Sequence, residues 1–209
     1  MWSAKAFLDR YAAPVYQYLL ACVKNEDVAG DLAQDFAVRF LSGRFENADR
    51  SRGRFRDFLK RSLSNLSTDY FRRQSKERRN LEKLSQNTQP QEHEPTGAVF
   101  EDLWRQEILT LAWQGLKGTD EESGSVMYVV LRLRSEKPDL SATEMAEALR
   151  TLLPDCSPNE QWVRQTLHRA RKKFSQLLRD EVARTVGDLS KEAIDNELAE
   201  LGLLKYCEE

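Results

Sequence analysis

Cysteine is scarce and scattered. The chain has three, Cys22, Cys156 and Cys207, and no CxxC pair, which argues against a zinc site or a disulfide framework and fits reduced thiols in a cytoplasmic protein. Histidine is scarcer still, with only His93 and His168. They offer no paired base, no phosphate-cradling GxxxxGKS/T loop or nucleophile elbow is present, and no carboxylates gather at metal-ligand spacing. The chain is therefore expected not to be an enzyme: no catalytic residue, no metal and no cofactor. Long apolar runs are missing too. Nothing approaches the ~18 residues needed to cross a bilayer, so no membrane insertion is expected. The start MWSAKAFLDRYAAPVYQYLL lacks the ordered basic, apolar and cleavage segments of a secretory leader. Sustained period-two alternation is also absent, so a sheet is not expected.

What the chain does have is segregated charge. Its net charge is −2, yet the stretch from Arg50 to Arg79 holds eleven Lys or Arg against three acids. Residues 82–122 turn acidic, 160–179 turn basic again with six bases against one acid, and 180–209 return to nine acids against three bases. Two basic islands in an acidic frame suggest two contacts with a polyanion.

Apolar residues recur at helical steps. Phe7, Tyr11, Val15, Tyr18 and Leu19 form one set, with Pro14 its awkward member; Val28, Leu32, Phe36 and Phe40 form another; Phe55, Leu59, Leu63, Leu66 and Tyr70 run through the basic block. The polar stretch LSQNTQPQEHEPTGA, with two prolines, reads as the heart of a flexible linker. A second helical set follows, with KGTDEESGS (117–125) expected as a loop. The reading is all-α: a module over 1–80, a linker over 81–100, a second module over 101–183 and an acidic extension over 184–209.

Placed on a helix, 55–73 sends Asp57, Arg61, Asn65, Thr68 and Arg72 outward together, cations for phosphates with one amide able to read a base edge. Phe58 and Phe71 lie at the border of the apolar side, where a ring could stack on an unpaired base. The preceding helix puts Asp27, Asp31, Gln34, Asp35 and Val38 on one face, which would repel phosphate and suits a basic protein partner. Near the end, Ser141 and Glu144 form a capping box, Pro154 closes that helix, and Ser157 is expected to cap the next, with Pro158 at its first position. Trp162, Val163, Leu167, Ala170 and Phe174 supply its buried side, and Arg164, Gln165, His168, Arg169, Arg171, Lys172 and Lys173 the rest. Two short helices with a basic second member follow the helix-turn-helix plan of a major-groove reader.

The strings D-x-x-Q-D-F (Asp31, Gln34, Asp35, Phe36), RGRFRDFLKRSLSNLSTDYFRR and ATEMAEAL…VRQTLHRARKKF, in this order, resemble an alternative RNA polymerase sigma factor of the sigma-70 family, extracytoplasmic-function class. The resemblance covers about 5–80 and 100–183. It implies that Asp31, Gln34 and Asp35 dock on core RNA polymerase. It implies that the loop 46–54 and the helix after it, with Arg54, Phe58, Arg61, Asn65, Arg72 and Arg73, bind and help open the minus-ten promoter element, Asn65 being at the base-reading position. It also implies that Asn159, Gln161, Arg164, Gln165, His168, Arg169, Arg171 and Lys172 read the minus-thirty-five element. Such factors are commonly silenced by an anti-sigma factor or another regulator. This chain departs from its relatives in a longer turn between the last two helices, in Phe58 where many carry Trp, and in the extension after Ala183. Two alternatives stay open: a helix-turn-helix regulator that binds DNA without polymerase, and a sigma-like interaction module that no longer initiates transcription.

Overall fold

The structure, a computed structural model, describes residues 4–42, 54–82 and 97–207. Among the described residues all regular structure is helical: α1 (Ala4–Val23), α2 (Glu26–Leu41), α3 (Phe55–Glu82), α4 (Gly97–Ser123), α5 (Met127–Glu136), α6 (Ala142–Leu152), α7 (Glu160–Ala183) and α8 (Lys191–Glu200), then a 3-10 turn at Leu204–Tyr206. The all-α expectation is met. Two compact units form, one of Met1–Glu107 with Thr185–Gly187, the other of Ile108–Arg184 with Asp188–Glu209.

In the first unit α1 packs on α2 and α3, and α2 on α3. Pro14 lacks the N–H that would bond the carbonyl of Arg10, and its ring crowds that carbonyl. Helical geometry accordingly lapses at Tyr11 (φ −117°, ψ 19°). The expected apolar stripes meet here: Phe7, Tyr11, Val15, Tyr18, Leu19, Phe36, Leu59, Leu63 and Leu66 are all buried. Phe7 contacts Phe55 at 4.4 Å and Phe40 at 5.3 Å between ring centroids. The beginning of α4 completes this core, Trp104 stacking on Tyr11 at 5.0 Å and Phe100 meeting Tyr18 edge-on at 5.5 Å. Burying rings of this size contributes about 2–3 kcal/mol each.

The linker expectation needs trimming at both ends. Residues 81–82 still belong to α3, and α4 begins at Gly97, because Phe100 is an apolar anchor four residues ahead of Trp104. The rest of the expected linker, with His93, lies outside the described residues.

Between α1 and α2, Lys24 occupies the left-handed region (φ 52°), and Asn25 caps α2 by accepting from Val28 N at 3.0 Å. A Cβ in that region costs about 1 kcal/mol or more, whereas glycine tolerates it. Lys24→Gly should therefore stabilise the chain by about 0.5–1 kcal/mol, seen as a higher urea midpoint; an unchanged or lower midpoint would show the turn to be unstrained.

The second unit gathers α5, α6 and α8 around α7. Its core includes Leu116, Val130, Met145, Leu149, Val163, Ala170, Phe174, Leu178, Val182 and Leu198. Trp113 packs on Phe174 (4.7 Å) and edge-on to Tyr128 (5.8 Å), with the Arg132 guanidinium 5.7 Å from its ring centre. The segment 117–125 is not the expected loop: α4 continues to Ser123 and stops at Gly124 (φ 65°). The polar residues that suggested a loop have local tasks. Asp120 accepts from the Tyr128 N–H at 2.6 Å and from the Ser125 hydroxyl, so α4 supplies the cap that Val126 cannot give α5.

Candidate functional site

Three surfaces carry the residues singled out in the sequence, two on the first unit and one on the second. On α2, Asp31 and Gln34 are exposed as expected. Asp35 is half-buried and differs: Arg39, one turn on, donates to both its carboxylate oxygens, Nε at 2.9 Å and Nη2 at 2.6 Å. The i, i+4 spacing of opposite charges signals this pair in the sequence. The same face ends in Val38 and Leu41, 60% and 54% exposed. Leu41 was missed because the apolar stripe drew attention to the opposite side. An acid, an amide and two bare aliphatic side chains on one helix face suit protein contact rather than hydration alone.

On α3 the two sides sort as the periodicity predicts. Leu59, Leu63 and Leu66 are buried, while Arg61, Asn65, Arg72 and Arg73 are exposed. Arg54 and Phe58 are half-buried, Phe58 lying 5.8 Å from Phe55. Arg72 approaches Asp69 only to 3.9 Å and stays open to a stronger anion. One cation of the basic block is turned away altogether. Arg56 is 4% exposed and pairs with Glu101 of α4, which Lys60 also reaches at 3.1 Å. Counting charges along the chain cannot separate a cation held in the core from one offered to a ligand. Residues 46–53 of the expected loop lie outside the described residues.

On α7, all eight residues assigned to the second DNA contact are exposed: Asn159, Gln161, Arg164, Gln165, His168, Arg169, Arg171 and Lys172. Val163, Leu167, Ala170 and Phe174 on the other side are buried. Arg164 pairs with Glu160 at 2.5 Å and Arg169 donates to Thr166 Oγ1 at 3.3 Å. The expected cap needs correcting. Asn159, not Ser157, caps α7, its Oδ1 accepting from Trp162 N at 2.8 Å. Pro158 is therefore buried just outside the helix instead of opening it, and Asn159, a strong cap former two residues further on, takes the position. The Ser141–Glu144 capping box of α6 is present, Glu144 N to Ser141 Oγ at 3.2 Å and Ser141 N to Glu144 Oε2 at 2.8 Å. Donation from the Ser141 hydroxyl, then from its N–H, holds the Glu144 carboxyl below its ordinary value.

The extension after Ala183 folds onto the later part of α7. Arg179 pairs with Asp195, Leu198, Leu201 and Leu203 are buried, and Cys207 Sγ lies 3.9 Å from the Ser175 carbonyl. Gly202 (φ 66°) ends α8, with Leu203 N donating to Leu198 O at 2.7 Å. Among the described residues nothing covers Arg164, Gln165, His168, Arg169, Arg171 and Lys172, which stay exposed beside this extension.

Residues 7–77 match the family model of Sigma-70 region 2. The match takes in α2 and most of α3, a third of the chain. It supports a sigma-factor role in RNA polymerase binding and promoter recognition. No curated protein and no solved structure gives a match. Among the described residues no helix is long and apolar enough to cross a membrane, and no group of three or more metal-ligating side chains is found.

Proposed function

We propose that this chain is an alternative sigma factor of the extracytoplasmic-function class. The first unit docks on core RNA polymerase through Asp31, Gln34 and Asp35, with Val38 and Leu41 beside them. It engages the minus-ten element through Arg54, Phe58, Arg61, Asn65, Arg72 and Arg73. The second unit reads the minus-thirty-five element with the exposed side of α7, from Asn159 to Lys172. The observation that carries this reading is the coincidence of the region 2 match with two unlike helix faces: an acidic and aliphatic one on α2, a cationic one on α3. A bridge between a protein and DNA needs that separation, since one face alone would repel one of the two partners. Because the α2 and α7 faces are both exposed in the chain, silencing requires an anti-sigma factor or other regulator that covers one of them.

Co-purification with core polymerase, followed by run-off transcription from genomic fragments, tests the reading. Asp31→Lys with Asp35→Lys should weaken polymerase affinity at least about tenfold by placing like charges against a basic partner. Wild-type affinity in that variant would remove the α2 face from the mechanism. A wild-type chain that ignores the polymerase would remove the mechanism itself.

A further inference from the structure

We propose that Ser75 of α3 is a phosphorylation site for a protein kinase that selects basic segments, and that the added phosphate draws the surrounding arginines away from DNA. The inference rests on the reading of α3 as a DNA-binding helix and adds a means of regulating it.

The sequence places the acceptor. Ser75 follows Arg72 and Arg73 at three and two positions, inside RRQSKERR, where five cations stand against one acid. Kinases discriminate substrates by such charge patterns, an acid-lined cleft holding the guanidinium groups while the hydroxyl reaches the phosphoryl donor. Other described hydroxyls also follow cations but are tied down. Ser62 donates to Phe58 O at 2.8 Å and Ser135 to Arg132 O at 2.8 Å. Ser64 stands between Leu63 and Leu66, both buried. Ser175 follows the buried Phe174, and its carbonyl meets Cys207 Sγ. Among the described residues no hydrogen bond holds the Ser75 hydroxyl, whereas Ser67 and Thr68 each return theirs to a carbonyl one turn back.

Presentation to a kinase needs an extended segment, and α3 can supply one at this point. Its last buried side chain is Ser67, yet the helix runs to Glu82. Over 72–79 every side chain is exposed except that of Ser75, which is half-buried. Unwinding this end breaks helix hydrogen bonds but exposes no core, which puts it at the low end of local opening free energies.

In the kinase, Ser75 Oγ attacks the γ-phosphorus of a nucleoside triphosphate. The hydroxyl proton passes to a carboxylate of the kinase, an O–P bond forms, and the bond to the leaving nucleoside diphosphate breaks. The product carries a charge of about −1.5 to −2 and three acceptor oxygens. On the re-formed helix it has Arg72 three residues before it, and Arg78 and Arg79 three and four after. Those are the spacings at which helical side chains meet. Guanidinium groups that close on this phosphate are withdrawn from the phosphates of DNA.

The full chain, ATP and a purified Ser/Thr kinase that prefers arginine two and three residues before its target test the site, read by mass-spectrometric peptide mapping. One phosphate per chain on Ser75 is expected, none on Ser75→Ala, and transfer at least about tenfold slower in Arg73→Ala. Alanine favours helix, so loss of labelling in these variants does not come from unfolding of α3. No labelling of the wild type, or labelling on Ser64 or Ser175 instead, would overturn the site. Fluorescence anisotropy on a labelled DNA duplex over a salt series tests the switch. The phosphorylated chain should bind with a slope of log affinity against log salt shallower by at least about 0.9, one phosphate contact, and phosphatase treatment should restore it. An unchanged slope in the fully phosphorylated chain would overturn the switch. An unmodified chain that binds no DNA at low salt would overturn the reading of α3 and the switch with it, while the mapping, which needs no DNA, still decides the site.

Discussion

Replacing Glu101 with alanine is expected to destabilise the chain by about 3 kcal/mol, measured from the urea midpoint, although Glu101 lies on the surface side of its helix. Arg56 beneath it is almost wholly removed from water, and Glu101 is the carboxylate it meets, with Lys60 completing the group. Removing the acid takes a charged partner from a buried guanidinium, a larger penalty than losing an exposed pair. The control is the double replacement Arg56→Met with Glu101→Leu, which removes both charges and keeps the volume. It should recover most of the loss, since apolar residues commonly replace such pairs without penalty. A single-variant loss under about 0.5 kcal/mol, the size of an ordinary surface pair, would show that Arg56 finds another anion or water.

Leu198→Ala should cost about as much, roughly 3 kcal/mol, from lost transfer energy and the cavity left behind. Leu198 is fully buried where α8 meets α7, with Leu201 and Leu203 next to it. The readout that separates a local from a global effect is limited proteolysis. New cleavage confined to residues 185–207, with the urea midpoint of the remainder unchanged, would mean the extension detaches alone. A lowered midpoint for the whole chain would show it to be part of the second unit's core, which its buried leucines lead us to expect. Unchanged cleavage and midpoint would contradict both.

The helices with four-residue apolar steps are legible in the sequence itself. Leu59, Leu63 and Leu66, and Met145 and Leu149, are buried as their spacing demands, but Leu152, the expected next member of the second stripe, is 56% exposed at the end of α6; the capping box at Ser141 marks the start of that helix to the residue. What was not legible depended on where a polar side chain turns. Asp120 reads as a loop former until its carboxylate is seen holding the amide of Tyr128. Arg56 and Arg72 are indistinguishable as letters, yet one is interior and the other open to solvent. Ser157 and Asn159 both have credentials as a cap, and only the path of Pro158 decides between them. Asp35 reads as one more acid on the exposed face of α2, and only the structure shows Arg39 donating to it. The exposed faces of α2, α3 and α7 followed from periodicity, because a solvent face is what remains once the apolar stripe is buried.

The cap of α7 has a consequence for whatever meets the beginning of that helix. The carbonyl oxygen of the Asn159 side chain already accepts from the amide of Trp162, which ties one of its two lone pairs to the helix and leaves both hydrogens of its NH2 end to be offered outward. The residue is thereby weighted toward giving: a purine N7, a carbonyl edge or a phosphate oxygen meets two hydrogens there, whereas an exocyclic amine finds a single lone pair on an oxygen already turned to the helix.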